Sequence, residues 1–161
     1  MSTSTHTGPK QATPLDAKNM KIGVVTARFN FDVTTKLQEG ALSALKEMHA
    51  DSKNIRSVSV PGAFEVPLAA QALLESGCDA VIALGAVIRG ETSHYDYVCT
   101  SVERGCTELQ LKTGKPVGFG ILTTESEEQA FDRAGGRHGN KGAEVAQVVV
   151  EMVQLLRNIK G

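Results

Sequence analysis

The chain has 161 residues, 41% hydrophobic and 22% charged, long enough to bury the core of one ordinary soluble domain. Seventeen Lys and Arg against eighteen Asp and Glu leave a net charge of −1, so there is no summed positive field to hold a nucleic-acid backbone or an anionic membrane, and neither is expected as a partner. The longest apolar runs, such as residues 79–87, stop short of the roughly 20 residues of a bilayer-spanning helix, and no signal peptide opens the chain, so a cytoplasmic protein is expected.

Residues 1–9 are mostly Ser, Thr, Gly and Pro, a composition that cannot bury enough surface to offset the entropy of ordering it. A flexible arm is expected over residues 1–11, followed by one domain over residues 12–161. A β-branched run at residues 22–26 predicts a strand ending at Ala27-Arg28-Phe29-Asn30, after which Val33, Leu37, Ala41, Ala44, Leu45 and Met48 share a helix face. A second strand at residues 55–60 stops at Pro61-Gly62; Val66, Ala69, Ala70, Leu73 and Leu74 then mark a helix that Gly77 caps. The unbroken apolar run at residues 80–84 suits a strand buried on both faces. Residues 85–93 read as a long loop before a helix carrying Val98, Cys99, Val102, Cys106 and Leu109. The cycle repeats with a strand at residues 117–122 and a short helix through Phe131, for which Thr124 and Glu127 offer a capping box. Val145, Val148, Val149, Met152, Leu156 and Ile159 define the face of a last helix. The three cysteines, Cys78, Cys99 and Cys106, cannot all pair and form no Cys-x-x-Cys, so they read as buried thiols. Alternating strands and helices make βα units with a parallel sheet covered on both faces, an α/β fold. Ligands collect at the carboxyl ends of such strands, here residues 28–30, 61–65, 85–94 and 119–124, four loops expected to build one site.

Within residues 85–94, two glycines let the backbone approach a ligand, and Thr92, Ser93 and the amides opening the next helix can donate to an anion such as phosphate. The same residues equally suit a plain turn and helix cap. They are not a nucleotide P-loop, because Glu91-Thr92 replaces the Lys-Ser/Thr pair after the second glycine. His94 stands at a helix start, where it can serve as general acid/base or merely cap. No second ligand falls at metal spacing, so no metal is expected. Phe29 and Phe64 sit at strand ends in a chain with 4% aromatics; each is a core plug or a stacking surface for a planar heterocycle, with Glu65 as hydrogen-bond acceptor. Residues 133–142 hold three cations and four glycines beside His138, either a solvated loop or a frame for gripping phosphate.

Taken together, Gly23-Val24-Val25-Thr26-Ala27-Arg28-Phe29-Asn30, Val60-Pro61-Gly62-Ala63-Phe64-Glu65-Val66-Pro67, the Arg-Gly-Glu-Thr-Ser-His-Tyr-Asp-Tyr-Val run at residues 89–98, Gly118-Phe119-Gly120-Ile121-Leu122-Thr123-Thr124-Glu125 and residues 133–142 strongly resemble the lumazine synthase family, from about Lys21 onward. The resemblance implies a three-layer α/β/α sandwich with a parallel flavodoxin-like sheet. It also implies condensation of 5-amino-6-(D-ribitylamino)uracil with 3,4-dihydroxy-2-butanone 4-phosphate, the penultimate step of riboflavin biosynthesis, with no cofactor. By resemblance, Phe29 flanks the pyrimidine, Ala63, Phe64 and Glu65 hold the ribityl chain, and Ala86, Val87 and Ile88 present backbone to the uracil edge. Glu91 and Thr92 meet the phosphate and His94 carries protons. Phe119, Arg133 and Lys141 match positions that the family supplies from a neighbouring subunit, with Arg133 as phosphate clamp.

The chain departs from the family in carrying Ala86 where many members have Thr, and Gly136-Arg137-His138 in place of a more usual Thr-Lys-Ala; Arg137 keeps a cation and His138 has no assigned role. The resemblance further implies a pentamer. Residues 136–140 carry no insertion, as in shell-forming members, so a sixty-subunit shell of twelve pentamers is expected, with riboflavin synthase an implied partner and the arm adding an edge strand to a neighbour from about Ala12. A storage shell without turnover would need neither clamp nor proton carrier, and a generic nucleotide binder would need glycines or hydroxyls that residues 27–30 lack.

Overall fold

Complete burial of Ile22, Val24 and Val25 suits a strand covered on both faces, and β1 (Ile22–Ala27) lies inside a parallel sheet. The structure, a computed structural model, describes residues 13–161; the expected arm lies outside the described residues. After β1 come α1 (Phe31–Glu47), β2 (Ile55–Val60), α2 (Val66–Glu75), β3 (Ala80–Ile88), α3 (His94–Thr113), β4 (Val117–Thr124) and α4 (Glu127–Asp132). A short pair, β5 (Ala134–Gly136) and β6 (Gly139–Asn140), leads into α5 (Lys141–Lys160).

The four long strands pair in parallel in the order β2-β1-β3-β4, the arrangement of a flavodoxin-like doubly wound sheet. Alternate residues of β1 and β3 face opposite layers. Ile22, Val24, Ile82 and Leu84 meet Leu37 and Leu45 of α1 and Val149 and Val153 of α5. Val25, Ala27, Val81 and Ala83 meet Leu73 of α2 and Val102 and Leu109 of α3. The expected three-layer α/β/α fold is therefore present. Gly77, at φ 110°, follows α2 in a backbone region that favours glycine, as its expected capping role requires.

Several boundaries differ from the sequence reading. β3 continues through residues 85–88, expected as loop, and β4 continues to Thr124, because the two strands pair as far as Ile88 and Thr124. Phe119 accordingly lies inside β4, half-buried, and not in a loop. The cap of α4 is Ser126, whose Oγ accepts from the Gln129 N–H at 3.2 Å, since Thr124 is still in the strand. The buried face of α5 is Val145, Ala146, Val149, Val150 and Val153, while Val148 and Ile159 are exposed; that helix is apolar on more than one side, so periodicity alone misplaced the stripe. Cys78 and Cys106 are buried as expected, but Cys99 is only partly so.

Residues 134–140 form an antiparallel pair that the sequence did not announce. It is pinned to α1: Asn140 Nδ2 donates to the Lys36 carbonyl at 2.9 Å, and Asn140 Oδ1 accepts from Ala143 N–H at 3.1 Å, capping α5. Gly40 leaves the space that the Asn140 side chain fills, and Gly142 lies directly against the Leu37 carbonyl.

Candidate active site

The site begins where strand pairing ends. β1 pairs with β3 only as far as Thr26 and Leu84, so the last four residues of β3, Gly85–Ile88, run beyond it with one backbone edge free of a strand partner. Asn30 closes part of that gap. It holds a left-handed conformation, φ 61° and ψ 45°, which Asn tolerates better than most residues, and its Nδ2 donates to the Ala86 carbonyl at 2.9 Å.

The neighbouring loops are held by backbone bonds that prolong the β1–β2 ladder. Arg28 N–H donates to the Val60 carbonyl at 2.8 Å and Phe29 N–H to the Pro61 carbonyl at 3.0 Å. Gly62 is extended, and a single 3₁₀ turn over Ala63–Glu65 follows, closed by Glu65 N–H to the Gly62 carbonyl at 3.2 Å. Both Phe29 and Phe64 are 63% exposed, so neither is a core plug.

On the third side α3 starts at His94. Thr92 Oγ1 accepts from the His94 N–H at 3.3 Å, which leaves the hydroxyl hydrogen to donate to a ligand. These walls enclose a cleft of about 600 Å³, within the range of small-molecule sites. Phe29, Ala63, Phe64, Glu65, Ala86, Val87, Ile88, Thr92 and His94 all line it. Asn30, from an expected site loop, lines it too, as do Tyr95, Tyr97 and Val98, to which the sequence reading gave no role there. Asn30 had a local signal, an Asn directly before a helix; the α3 residues follow from His94 being the first residue of a helix that borders the cleft.

Glu91, Phe119, Arg133, Arg137 and Lys141 do not line this cleft. Glu91 is exposed beside it. Arg133 follows α4, and its Nη1 donates to the Gln129 carbonyl at 3.0 Å. Lys141 opens α5, its N–H donating to the Arg133 carbonyl at 2.8 Å, so Arg133 and Lys141 are neighbours across β5 and β6. Arg137 pairs with Asp132 at 2.9 Å; that hydrogen bond holds the Asp132 carboxyl below its ordinary value.

Behind the cleft wall, Arg89 joins three elements. Its Nε donates to Glu125 Oε2 at 2.7 Å and its Nη2 to Asp96 Oδ1 at 3.2 Å, while the guanidinium carbon lies 4.3 Å from the Tyr95 ring centroid. Burial pushes the Tyr95 phenol above its ordinary value, with the nearby Cys99 thiol adding to the shift. Among the described residues no group of three or more His, Cys, Asp or Glu is placed to hold a metal ion.

The family model described as 6,7-dimethyl-8-ribityllumazine synthase matches residues 19–157. A curated protein of Bdellovibrio bacteriovorus named 6,7-dimethyl-8-ribityllumazine synthase is 60% identical over 140 residues, which cover 87% of this chain and 77% of that protein.

Proposed function

Because the chain belongs to the 6,7-dimethyl-8-ribityllumazine synthase family, we propose how its cleft divides the work of that family's reaction. The protein is an enzyme of riboflavin biosynthesis that condenses 5-amino-6-(D-ribitylamino)uracil with 3,4-dihydroxy-2-butanone 4-phosphate, releasing phosphate and water to give 6,7-dimethyl-8-ribityllumazine. In our reading the pyrimidine lies against Phe29, and its polar edge meets the open backbone edge of Ala86, Val87 and Ile88. The ribityl hydroxyls reach Glu65 and the turn at Ala63 and Phe64. The observation that carries this placement is the overhang of β3 past β1, which leaves backbone without a strand partner at the wall of the cleft.

The butanone phosphate then sits at the start of α3, over the amides of Glu91 and Thr92 and the Thr92 hydroxyl, where the helix end favours an anion. The substrate brings its own amine nucleophile, so the protein's tasks are orientation, proton transfer and neutralisation of the departing phosphate. His94 takes a proton from the attacking amine and returns one as water leaves. Arg133 grips the phosphate through its planar fork. In this reading Arg133, Phe119 and Lys141 come from a neighbouring subunit, with Arg137 at the same interface.

Sharing of the site makes the active form an oligomer, a cyclic pentamer and, at full size, a shell of twelve pentamers in the cytoplasm, able to associate with riboflavin synthase. Support comes from Phe119, Arg133 and Lys141 lying outside their own chain's cleft, and from exposed large apolar side chains such as Leu68, Leu111, Val148 and Ile159, which a subunit contact would cover. The outer edge of β2 has no strand partner among the described residues, and a neighbour's chain from about Ala12 onward would supply one.

An absorbance assay of lumazine formation with both substrates tests the assignments. His94→Ala is expected to lower kcat about a hundredfold without abolishing turnover, and Arg133→Ala to raise KM for the phosphate substrate by about tenfold or more. Equal, negligible effects of the two substitutions would sink both roles.

A further inference from the structure

Arg89, Glu125 and Gln129 do not line the cleft, yet they form a continuous chain to the residue assigned to the phosphate. Arg89 Nε donates to Glu125 Oε2 at 2.7 Å, Glu125 N–H donates to Gln129 Oε1 at 2.8 Å, and the Gln129 carbonyl accepts from Arg133 Nη1 at 3.0 Å. The first residue of the chain is itself fixed from three further directions. Its own N–H donates to the Thr124 carbonyl at 2.9 Å, its Nη2 holds Asp96, and its plane lies over Tyr95. An isolated surface ion pair contributes little, but a guanidinium that uses its fork on two carboxylates and its face on a ring is confined to one orientation.

We infer that Arg89 is a positioning residue which, through Glu125 and Gln129, fixes the Arg133 guanidinium where the phosphate-bearing substrate is gripped. Arg89 is not itself a phosphate ligand. Two carboxylates already neutralise its guanidinium, so an arriving anion would meet Asp96 and Glu125 there as well. Arg133, by contrast, donates one of its N–H groups to Gln129 and makes no ion pair among the described residues. Holding Glu125 steadies the first turn of α4, whose Gln129 carbonyl takes up that one N–H and so sets the direction of the remaining guanidinium donors. The inference rests on the reading of Arg133 as phosphate clamp.

A double-mutant cycle in the intact oligomer tests it. Arg89→Ala is expected to raise KM for the butanone phosphate about fivefold, with kcat and the KM for the pyrimidine changed by less than about twofold. Glu125→Gln, which removes the charge on the α4 side and keeps the side chain's length, should reproduce that rise even if Arg89→Ala does not fold. Arg89→Lys should restore part of the loss, because a point charge can hold one carboxylate but not two and a ring. In an Arg133→Ala background neither Arg89→Ala nor Glu125→Gln should raise the KM further. A rise of equal factor in that background, or no rise in the parent enzyme, would overturn the inference. An unchanged KM in Arg133→Ala alone would instead remove the clamp assignment, and the inference with it.

Discussion

Thr26 is the one buried side chain among the described residues whose polar atom has no hydrogen-bond partner. A hydroxyl stranded in a sheet interior costs more than the apolar group that would replace it at equal volume. Thr26→Val is therefore expected to stabilise the chain by about 1 kcal/mol, read as a higher denaturant midpoint at unchanged slope. Burial alone pushes Cys106 up to about 11, so on the order of one thiol in a thousand is ionised at pH 8. Native protein should leave it unalkylated by iodoacetamide, and labelling at the rate of a free thiol would contradict that burial. For Asp132, the hydrogen bond from Arg137 lowers the folded carboxyl below 3.8 while burial opposes it. Its stabilising contribution is complete above the ordinary carboxylate value and is lost as pH falls through the lower native value. Arg137→Ala should accordingly move the acid transition seen by circular dichroism to higher pH. At this scale the sequence was most informative for the residues that line the cleft: Phe29, Phe64, Glu65 and His94 were singled out by type and place alone. Residue type offered Arg133 only as part of a stretch that could grip phosphate or merely be solvated, and Phe119 only as part of a strand-end loop. Their specific roles came through resemblance, because no spacing rule relates them to a cleft that their own chain does not place them in.

Among the elements, α1 and α5 meet closely at the start of α5. Asn140 ties Lys36 to the start of α5, and Gly142 has the Leu37 carbonyl where a β-carbon would go. Asn140→Ala should cost about 1–2 kcal/mol through the lost cap of α5 and the lost bond to α1. Gly142→Ala should cost about 1–3 kcal/mol by forcing the helices apart. Both are measured by thermal melting, and a neutral Gly142→Ala would show that the contact relaxes freely. Glycines read from sequence as a flexible frame for phosphate thus include one needed for helix packing. One strand end was misread for a related reason: Gly85 looks like a break in a linear pattern, but β3 pairs with β4 straight through it to Ile88. Apolar residues on two sides of α5 likewise hid which stripe meets the sheet, a choice made by α1 and β4 and not by the helix itself.

For the molecule as a whole, alternation of strands and helices was enough to specify a parallel α/β sandwich, whereas the order β2-β1-β3-β4 depends on crossovers that periodicity does not encode. No helix among the described residues is long and apolar enough to cross a membrane. The proposed assembly belongs to this scale, and its expected outcome is a sedimentation boundary at the size of a sixty-subunit particle near neutral pH. A boundary at five subunits across the pH range would remove the shell and keep the shared site; a monomer that turns over substrate would remove both.

The packing of α1 against α5 also orders events in time. The apolar face of α1 has its cover in residues 141–160, which are made only after β2, β3 and β4. Until α5 arrives, Leu37, Ala41 and Leu45 have no lasting partner on that side, and long-range closure of this kind is slow. A nascent chain halted before Lys141 should therefore stay bound by chaperones and open to protease. The half-made subunit is thereby kept from folding, and from joining its neighbours, before it carries both Arg133 and the helix that secures it.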